Sequence, residues 1–198
     1  GEPKVDHENI SLLRKCREHE IRVRFDANNL WNDPDTAIIY LTEMDYPIFA
    51  LEEPLAARAY DSFREVGLVL GTSIVLDESF SKMGDFDSLE RDAKNWIINL
   101  RVSKMGGIIR SLAIAERARK LGTGLIIGAQ VGETSLLTRA ALAIANNHRD
   151  HVIAQEGAFG THLLKWDICD PPIMFSRGGA LKASDVCAYP KVRIKVFP

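Results

Sequence analysis

The sequence predicts an α/β fold, a partial TIM-type (β/α) barrel in which short parallel strands alternate with helices. Three apolar runs end in acidic side chains, and the leading acids Asp26, Glu52 and Asp77 are 26 and 25 residues apart. This interval accommodates one strand, one helix and the two loops that connect them. Three further strand ends follow at intervals of 24, 29 and 26 residues, so the repeat runs through six units. A closed eight-strand barrel takes about 250 residues, and six units in 198 residues predict that two strands are missing or are supplied from elsewhere.

The composition is typical of a soluble globular protein. Hydrophobic residues make up 46% of the chain and the net charge is −2, so nothing steers it toward nucleic acid or an anionic membrane. No apolar run approaches the roughly 20 residues that span a bilayer, and the N-terminus lacks a signal-peptide pattern. Cys16, Cys169 and Cys187 lack CxxC spacing, which predicts reduced thiols and no zinc site in a cytoplasmic protein. The five histidines, among them His148, lack ligand spacing and are predicted to lie at the surface.

Six short apolar runs are the predicted strands of the parallel sheet. They span residues 21–25, 48–51, 74–76, 96–100, 125–127 and 152–154. Because the carboxyl ends of barrel strands meet at one face, the polar side chains that follow these runs are expected to converge there. From Pro171 the pattern changes to a tail without a further strand–helix unit, in which residues 192–197 alternate apolar and basic side chains like an edge strand.

Helical patterns fill the intervals between the strands. The first helix ends near Glu18. The second begins at Pro34 behind Asn32 or Asp33, since a short polar cap followed by proline favours a helix start. The third is predicted to end at Gly67. The remaining helices are predicted at residues 88–95, between Gly107 and Gly122, and at residues 135–145, with a polar loop over residues 80–87.

The three acids at the first strand ends are the candidate metal ligands. Asp26, Glu52 and Asp77 would repel one another in a dry barrel mouth unless a cation lay between them. Oxygen-only ligands favour a hard octahedral ion, and Mg²⁺ is the first choice. The alternative for each acid is a helix cap. Glu53 is interpreted as a supporting or helix-start acid, and Asn28, on the same side of an extended chain as Asp26, as a substrate-side residue that supports the water shell of the metal.

Four motifs in this order resemble the enolase superfamily, and more closely its mandelate racemase and muconate lactonizing enzyme branch. They are VRFDAN at 23–28, LEEP at 51–54, LDES at 76–79 and RVSKMGG at 101–107, and residues 132–134 and 155–157 match less specifically. The resemblance covers residues 1 to about 180, an incomplete enolase-type barrel domain, and leaves 181–198 as a divergent tail packing on the barrel. It implies that the three acids bind Mg²⁺ and that the enzyme abstracts a proton α to a carboxylate and holds the enolate on the metal.

This chain departs from the family pattern at two strand ends. Relatives carry a catalytic Lys, or the Asp of an Asp–His pair, where this chain has Arg101, and the racemases carry a His where it has Gln130. Two-base epimerisation is therefore disfavoured, and a one-base dehydration, cycloisomerisation or similar elimination fits better. The Lys-x-Lys base of the family lies on a strand just before Gly1, so we expect this chain to lack that strand, the one before it and the N-terminal capping domain.

Other polar residues near the later strand ends are candidates for catalysis or substrate binding. Arg101 cannot act as a base, because a guanidinium stays protonated, and would orient substrate or stabilise charge; its alternative is a salt bridge to one of the acids. Lys104 is a further candidate catalytic residue, with a supporting role in its loop as the alternative. Glu156 would contact substrate or donate a proton, or else be a structural carboxylate. Gln130 and Glu133 are predicted to line the substrate site.

The predicted function is Mg²⁺-dependent proton abstraction from a small carboxylate substrate, as a lyase or isomerase. The expected partners are that substrate and further copies of the chain or a missing N-terminal part, with no nucleic acid and no membrane. One alternative is a non-catalytic or truncated barrel that serves as a scaffold or subunit, because the catalytic Lys is absent. Another is an unrelated phosphate-binding barrel, although the later loops lack a phosphate-cradling helix start.

Overall fold

A computed structural model describes residues 2–16, 21–157, 163–173, 180–181 and 193–194. It confirms the α/β fold class: six parallel strands alternate with helices, and their order in the sheet is their order along the chain. Residues 1–98 and 99–198 form two compact units. None of the helices in the described ranges is long and apolar enough to cross a membrane.

The first unit contains three strand–helix repeats and the beginning of a fourth strand. Its elements are α1 (Pro3–Lys15), β1 (Arg24–Asp26), α2 (Pro34–Glu43), β2 (Ala50–Glu52), α3 (Tyr60–Leu70), β3 (Ser73–Leu76), two 3₁₀ helices (Met83–Ser88 and Glu90–Asn95) and β4 (Trp96–Leu100), which continues into the second unit. The register places Asp26 opposite Glu52, and Glu52 opposite Val75. The core of this unit is formed by fully buried large side chains, among them Phe63, Leu76, Phe80 and Trp96.

The second unit holds the end of β4 and two further repeats. Its elements are α4 (Ile108–Leu121), β5 (Gly124–Ile127), α5 (Ser135–Asn147), β6 (Val152–Gln155), β7 (Cys169–Asp170) and β8 (Arg193–Ile194). Strands β5 and β6 are parallel, with a register shift after Leu125, and β7 pairs with β8 in the antiparallel sense. Helix α4 ends as predicted at Gly122, whose φ of 75° is left-handed and suits glycine.

Local chemistry accounts for the start of α2 and the end of α3. The Asp33 carboxylate accepts a hydrogen bond from Thr36 N at 2.8 Å, and Pro34 occupies the first turn, as predicted. Helix α3 does not stop at Gly67 but continues to Leu70, and Gly71 with φ 62° ends it. Gly67 serves close packing instead, because a Cβ there would lie 3.1 Å from the Thr72 carbonyl oxygen.

Several predicted elements differ from those observed. The helix expected at 88–95 is a 3₁₀ helix over Glu90–Asn95, and the loop expected at 80–87 contains another 3₁₀ helix over Met83–Ser88. Asp92 leaves helical geometry (φ −145°, ψ 41°) and accepts hydrogen bonds from Arg64 Nε and Trp96 Nε1, both at 2.9 Å. Strand β1 begins at Arg24 rather than at residue 21. His148 is buried, not at the surface, because it ends α5 with Nδ1 3.2 Å from the Ile144 carbonyl oxygen.

The C-terminal predictions are only partly within the described ranges. Of the edge strand expected at 192–197, residues 193–194 form β8. Its partner β7 was not predicted, because a strand of two residues has no alternation to recognise. The proposed tail lies mostly outside the described ranges, as does Cys187. The domain boundary at residue 180 therefore stays a prediction.

Candidate active site

The three predicted metal ligands lie at the carboxyl ends of neighbouring strands in the first unit. Asp26 and Glu52 are the last residues of β1 and β2 and are paired in register, while Asp77 follows β3 directly. Glu52 is 1% exposed and Asp77 4%, whereas Asp26 is exposed. Among the residues that the structure describes, no group of three His, Cys, Asp or Glu side chains is arranged to hold a metal ion. Convergence of the three carboxylates on one ion therefore stays a prediction.

Helix capping does not explain these acids. The N-cap residues of α2 and α3 are Asp33 and Ala59, and Asp85 accepts hydrogen bonds from Ser81 N and Lys82 N at the first 3₁₀ helix. Within the described ranges, none of the three acids is the N-cap of a helix. Three carboxylates on adjacent parallel strands therefore remain as a donor set of hard oxygens, which is the chemistry that Mg²⁺ prefers.

The buried Glu52 carboxylate is held beside a cation of its own sheet. Glu52 Oε2 lies 3.4 Å from Arg24 Nε, which projects from β1. A carboxylate that is 1% exposed would be costly without such a neighbour, because burial removes its hydration. Arg24 thus offsets part of the negative charge at this edge of the sheet.

Glu53 accepts hydrogen bonds at both oxygens of its carboxylate. It is fully buried, and its Oε1 accepts hydrogen bonds from Asp77 N at 2.7 Å and Ser79 N at 2.8 Å, while Ser79 Oγ donates to Oε2 at 2.7 Å. Burial raises the pKa of the Glu53 carboxyl, and the hydrogen bonds from Ser79 and Asp77 offset that rise only in part. No helix in the described part of the chain begins at Glu53, so the supporting role is the one that the geometry favours.

Ser79 fixes the other side of the same loop. Its hydroxyl oxygen accepts a hydrogen bond from Arg58 N at 2.7 Å, and its carbonyl oxygen accepts one from the Tyr60 hydroxyl at 2.5 Å. With the two bonds to Glu53, every polar atom of Ser79 is engaged by a neighbouring segment. The turn after Asp77 is therefore held from two directions.

Main-chain hydrogen bonds continue the β1–β2 ladder beyond the strands. Ala27 N donates to the Glu52 carbonyl at 2.9 Å, Asn29 N to that of Glu53 at 2.7 Å, and Trp31 N to that of Pro54 at 3.1 Å. Asn28 lies inside this segment in the left-handed conformation (φ 47°), and its N–H donates to Asp26 Oδ1 at 3.0 Å. Asn28 itself is exposed, so its predicted support of a metal's water shell stays a prediction.

The second unit groups the other predicted site residues at the ends of β4, β5 and β6. Arg101 follows β4, and its Nη1 lies 3.3 Å from Oε1 of Gln130. Ser103 Oγ lies 3.4 Å from Glu133 Oε1, and Ala129 N donates to Glu156 Oε2 at 3.3 Å. These contacts join the loops that follow the three strands into one polar cluster.

Lys104 has a backbone partner within the same unit. Its ammonium group donates to the Asn99 carbonyl at 3.3 Å, so the side chain folds back over the end of β4. This contact is the one expected of a residue that supports its loop. A catalytic role of Lys104 stays a prediction.

Asn99 and Gly128 belong to this cluster but were not predicted as site residues. Asn99 is fully buried in β4 and, two positions before Arg101, points to the same face of the strand. A Cβ at Gly128 would lie 1.9 Å from Asn99 Oδ1, so these residues are in direct contact. The available signal was the single polar residue within the apolar run Trp96–Leu100.

Similarity to known proteins agrees with this arrangement. Residues 1–185 match the family model described as enolase C-terminal domain-like. A hydrophobic dipeptide epimerase of Enterococcus faecalis is 28% identical over 141 residues, which are 71% of this chain and 40% of that protein. A chloromuconate cycloisomerase of Delftia acidovorans is 29% identical over 143 residues, 72% of this chain and 38% of that protein. The chain spans about two fifths of the length of the curated relatives it matches.

Solved structures show the same fold. The Enterococcus faecalis dipeptide epimerase complexed with Mg and the dipeptide L-Leu-L-Tyr superposes with a TM-score of 0.75 at 24% identity, over 88% of this chain and 49% of that one. The muconate lactonizing enzyme of Pseudomonas fluorescens complexed with muconolactone superposes with a TM-score of 0.71 at 23% identity, over 96% of this chain and 53% of that one. The motifs, the strand–helix repeat and the family match agree, and the chain belongs to the enolase C-terminal domain-like family, in its mandelate racemase and muconate lactonizing enzyme branch.

Proposed function

We propose that this chain supplies the barrel part of a Mg²⁺-dependent enzyme that abstracts a proton α to a carboxylate and stabilises the resulting enolate. The observation that carries the proposal is the placement of Asp26, Glu52 and Asp77 at three successive parallel strand ends, two of them buried and none of them the N-cap of a helix in the described ranges. The complex of the related dipeptide epimerase with Mg supports the choice of metal. What Mg²⁺ supplies when bound is positive charge next to the developing negative charge, worth several kcal/mol.

The side chains of the second unit favour a one-base reaction. Arg101 keeps its proton near neutral pH, so it serves as a fixed positive charge that orients a substrate carboxylate. Gln130, 3.3 Å from Arg101, holds the guanidinium in place and offers an amide to the substrate. Glu156 contacts the substrate or donates a proton to it, and Glu133 lines the site. A dehydration, a cycloisomerisation or a similar elimination needs no second base at the Arg101 position.

A magnesium titration tests the metal site. Calorimetry on the 198-residue chain is expected to show saturable Mg²⁺ binding that Asp77→Ala strongly weakens. Asp61→Ala is the matched control, because that side chain is 100% exposed on α3 and is expected to leave binding intact. Equal affinity in the wild-type chain and Asp77→Ala would disprove the site, as would absence of binding to the folded wild-type chain.

Turnover is tested on the complete polypeptide that includes this chain. Deuterium from solvent is expected to enter the α-carbon of a small carboxylate substrate, measured by NMR over a panel of hydroxy acids, dipeptides and muconolactones. Arg101→Ala is expected to lower the rate strongly, and unchanged turnover would exclude its role.

The alternative function is a non-catalytic barrel that serves as a scaffold or subunit. The observation that favours it is Arg101 at a strand end where the resemblance expects a proton-abstracting Lys. This alternative predicts no exchange with any substrate of the panel, although Mg²⁺ binds.

The partners proposed for the chain are a small carboxylate and either further copies of itself or an N-terminal part of the same enzyme, with no role for nucleic acid or membrane. The net charge of −2 supports the absence of an anionic polymer as partner. Light scattering coupled to gel filtration measures the oligomeric state, and a monomer at all concentrations would exclude self-association.

A further inference from the structure

We propose that Glu53 is a positioning residue that sets the metal-binding geometry without being a ligand, by fixing Asp77 relative to Glu52. This inference rests on the proposed function, since it concerns the affinity of the same Mg²⁺ site. Glu53 follows Glu52 in the chain, and its side chain accepts hydrogen bonds from the backbone of the loop that carries Asp77. One residue thus links two of the three proposed ligands.

The geometry around Glu53 is specific for a carboxylate. Its two oxygens accept three hydrogen bonds of 2.7–2.8 Å, from Asp77 N, Ser79 N and Ser79 Oγ. Charge-assisted bonds of this length are stronger than bonds between neutral groups. The backbone of Glu53 is also strained, with φ 39° in a non-glycine residue. Glu53 is therefore a buried acidic residue in the left-handed region, a combination that its three hydrogen bonds compensate.

The main chain of Glu53 forms hydrogen bonds to the segments on both sides of β2. Glu53 N donates to the Val75 carbonyl at 3.2 Å, on the β3 side, and the Glu53 carbonyl accepts from Asn29 N at 2.7 Å, on the β1 side. The residue therefore contacts the loops after β1 and β3 while it continues β2. Displacing it would shift the Asp77 loop relative to Glu52.

The test compares Mg²⁺ affinity in two charge-matched variants. Glu53→Gln removes one negative charge and the acceptor for Ser79 Oγ, and it is expected to weaken binding about 10-fold to 100-fold, the range typical of residues that orient metal ligands. Glu78→Gln removes an equal charge next to Asp77 from an exposed side chain and is expected to change affinity by less than about 2-fold, by analogy with weak exposed charge interactions. An equal loss in both variants would mean that charge alone is responsible, and would overturn the inference.

Two further measurements separate positioning from folding and from failure of the site. Ser79→Ala removes one of the three bonds to Glu53, and a smaller loss of affinity in the same direction is expected where Glu53→Gln does not fold. In an Asp77→Ala background, Glu53→Gln is expected to have no additional effect on residual binding, because the two residues act together. Wild-type affinity in folded Glu53→Gln would refute the positioning role alone. Absence of Mg²⁺ binding in the wild-type chain would refute the proposed function and this inference with it.

Discussion

The side chain of Asn99 lies directly over the backbone of Gly128, so that a Cβ at position 128 would be 1.9 Å from Asn99 Oδ1 and 3.0 Å from Arg101 Cγ. Two strand ends of the second unit therefore approach more closely than any side chain at position 128 allows. This contact explains why β5 is followed by glycine. It also makes Gly128 a determinant of where Arg101 can lie.

Gly128→Ala is expected to displace the buried Asn99 side chain and to lower the free energy of unfolding by about 1–3 kcal/mol, the usual cost of overpacking. The measurement is urea unfolding followed by circular dichroism. Gly84→Ala is the control, because nothing lies within 4 Å of a Cβ at that position. Equal stability of the two variants would show that Asn99 moves aside without cost.

A second prediction concerns Asp167, whose carboxylate joins the segment before β7 to the start of α5. Its Oδ2 accepts hydrogen bonds from Ser135 N at 2.8 Å and Ser135 Oγ at 2.5 Å, and its Oδ1 accepts one from Cys169 N at 2.8 Å. Burial alone would raise the pKa of Asp167. The hydrogen bonds from Ser135 and Cys169 outweigh burial, and the pKa lies below the usual 3.8.

A carboxyl whose pKa is lowered by folding stabilises the protein above its unfolded pKa and loses this contribution as the pH falls through the folded value. Asp167→Asn is therefore expected to cost about 2 kcal/mol near neutral pH, as for hydrogen bonds to a charged group. The difference from wild type should shrink below pH 3.8. Urea unfolding at several pH values measures it, with the exposed Asp150→Asn as the control. A difference independent of pH would contradict this account.

A third prediction concerns Tyr40, which joins α2 to α1. Its hydroxyl donates to Asp6 Oδ2 at 2.6 Å, and burial together with this carboxylate raises the Tyr40 pKa to about 12. The raised pKa means that the contribution to stability is complete below pH 10 and is lost as the pH rises from 10 toward 12. Absorbance titration of the phenolates should show a component near pH 12 that Tyr40→Phe removes and Tyr46→Phe retains. Persistence of that component in Tyr40→Phe would exclude the assignment.

A fourth prediction concerns thiol reactivity. Burial raises the pKa of the Cys169 thiol, and the neighbouring Asp167 adds to the rise, whereas Cys16 is exposed. Only the thiolate reacts, so iodoacetamide should modify Cys16 well before Cys169. Peptide mass spectrometry in a Cys187→Ser background measures both rates, and urea should remove the difference. Equal rates in the folded protein would show that the Cys169 environment opens.

The sequence was sufficient to predict the strand–helix repeat and the strand ends that carry Asp26, Glu52 and Asp77. Buried parallel strands have continuous apolar runs. An acid that follows each of three such runs at a regular spacing can therefore be recognised from the sequence alone. The predicted end of α3 was four residues too early. Either Gly67 or Gly71 could end a helix as far as the sequence shows, and only the packing shows that Gly67 lies close to the Thr72 backbone while Gly71 ends the helix.

The role of Glu53 was not predictable in detail for a related reason. Its partners Asp77 and Ser79 are 24 and 26 residues away, and they become neighbours only through the register of β2 against β3. The sequence shows that an acid is present at position 53, but not which backbone N–H groups donate hydrogen bonds to its carboxylate. The same limit hid the contact of Asn99 with Gly128, which depends on how β5 follows β4.

The hydrogen bonds of Ala27, Asn29 and Trp31 to the segment after β2 use main-chain atoms only. The side chains at these positions take no part in the bonds, and among the common residues only proline would remove a donor. Asn29 has a left-handed φ of 58°, which β-branched residues disfavour. The side chains at Ala27 and Trp31 can therefore differ while the backbone next to the three acids stays in register.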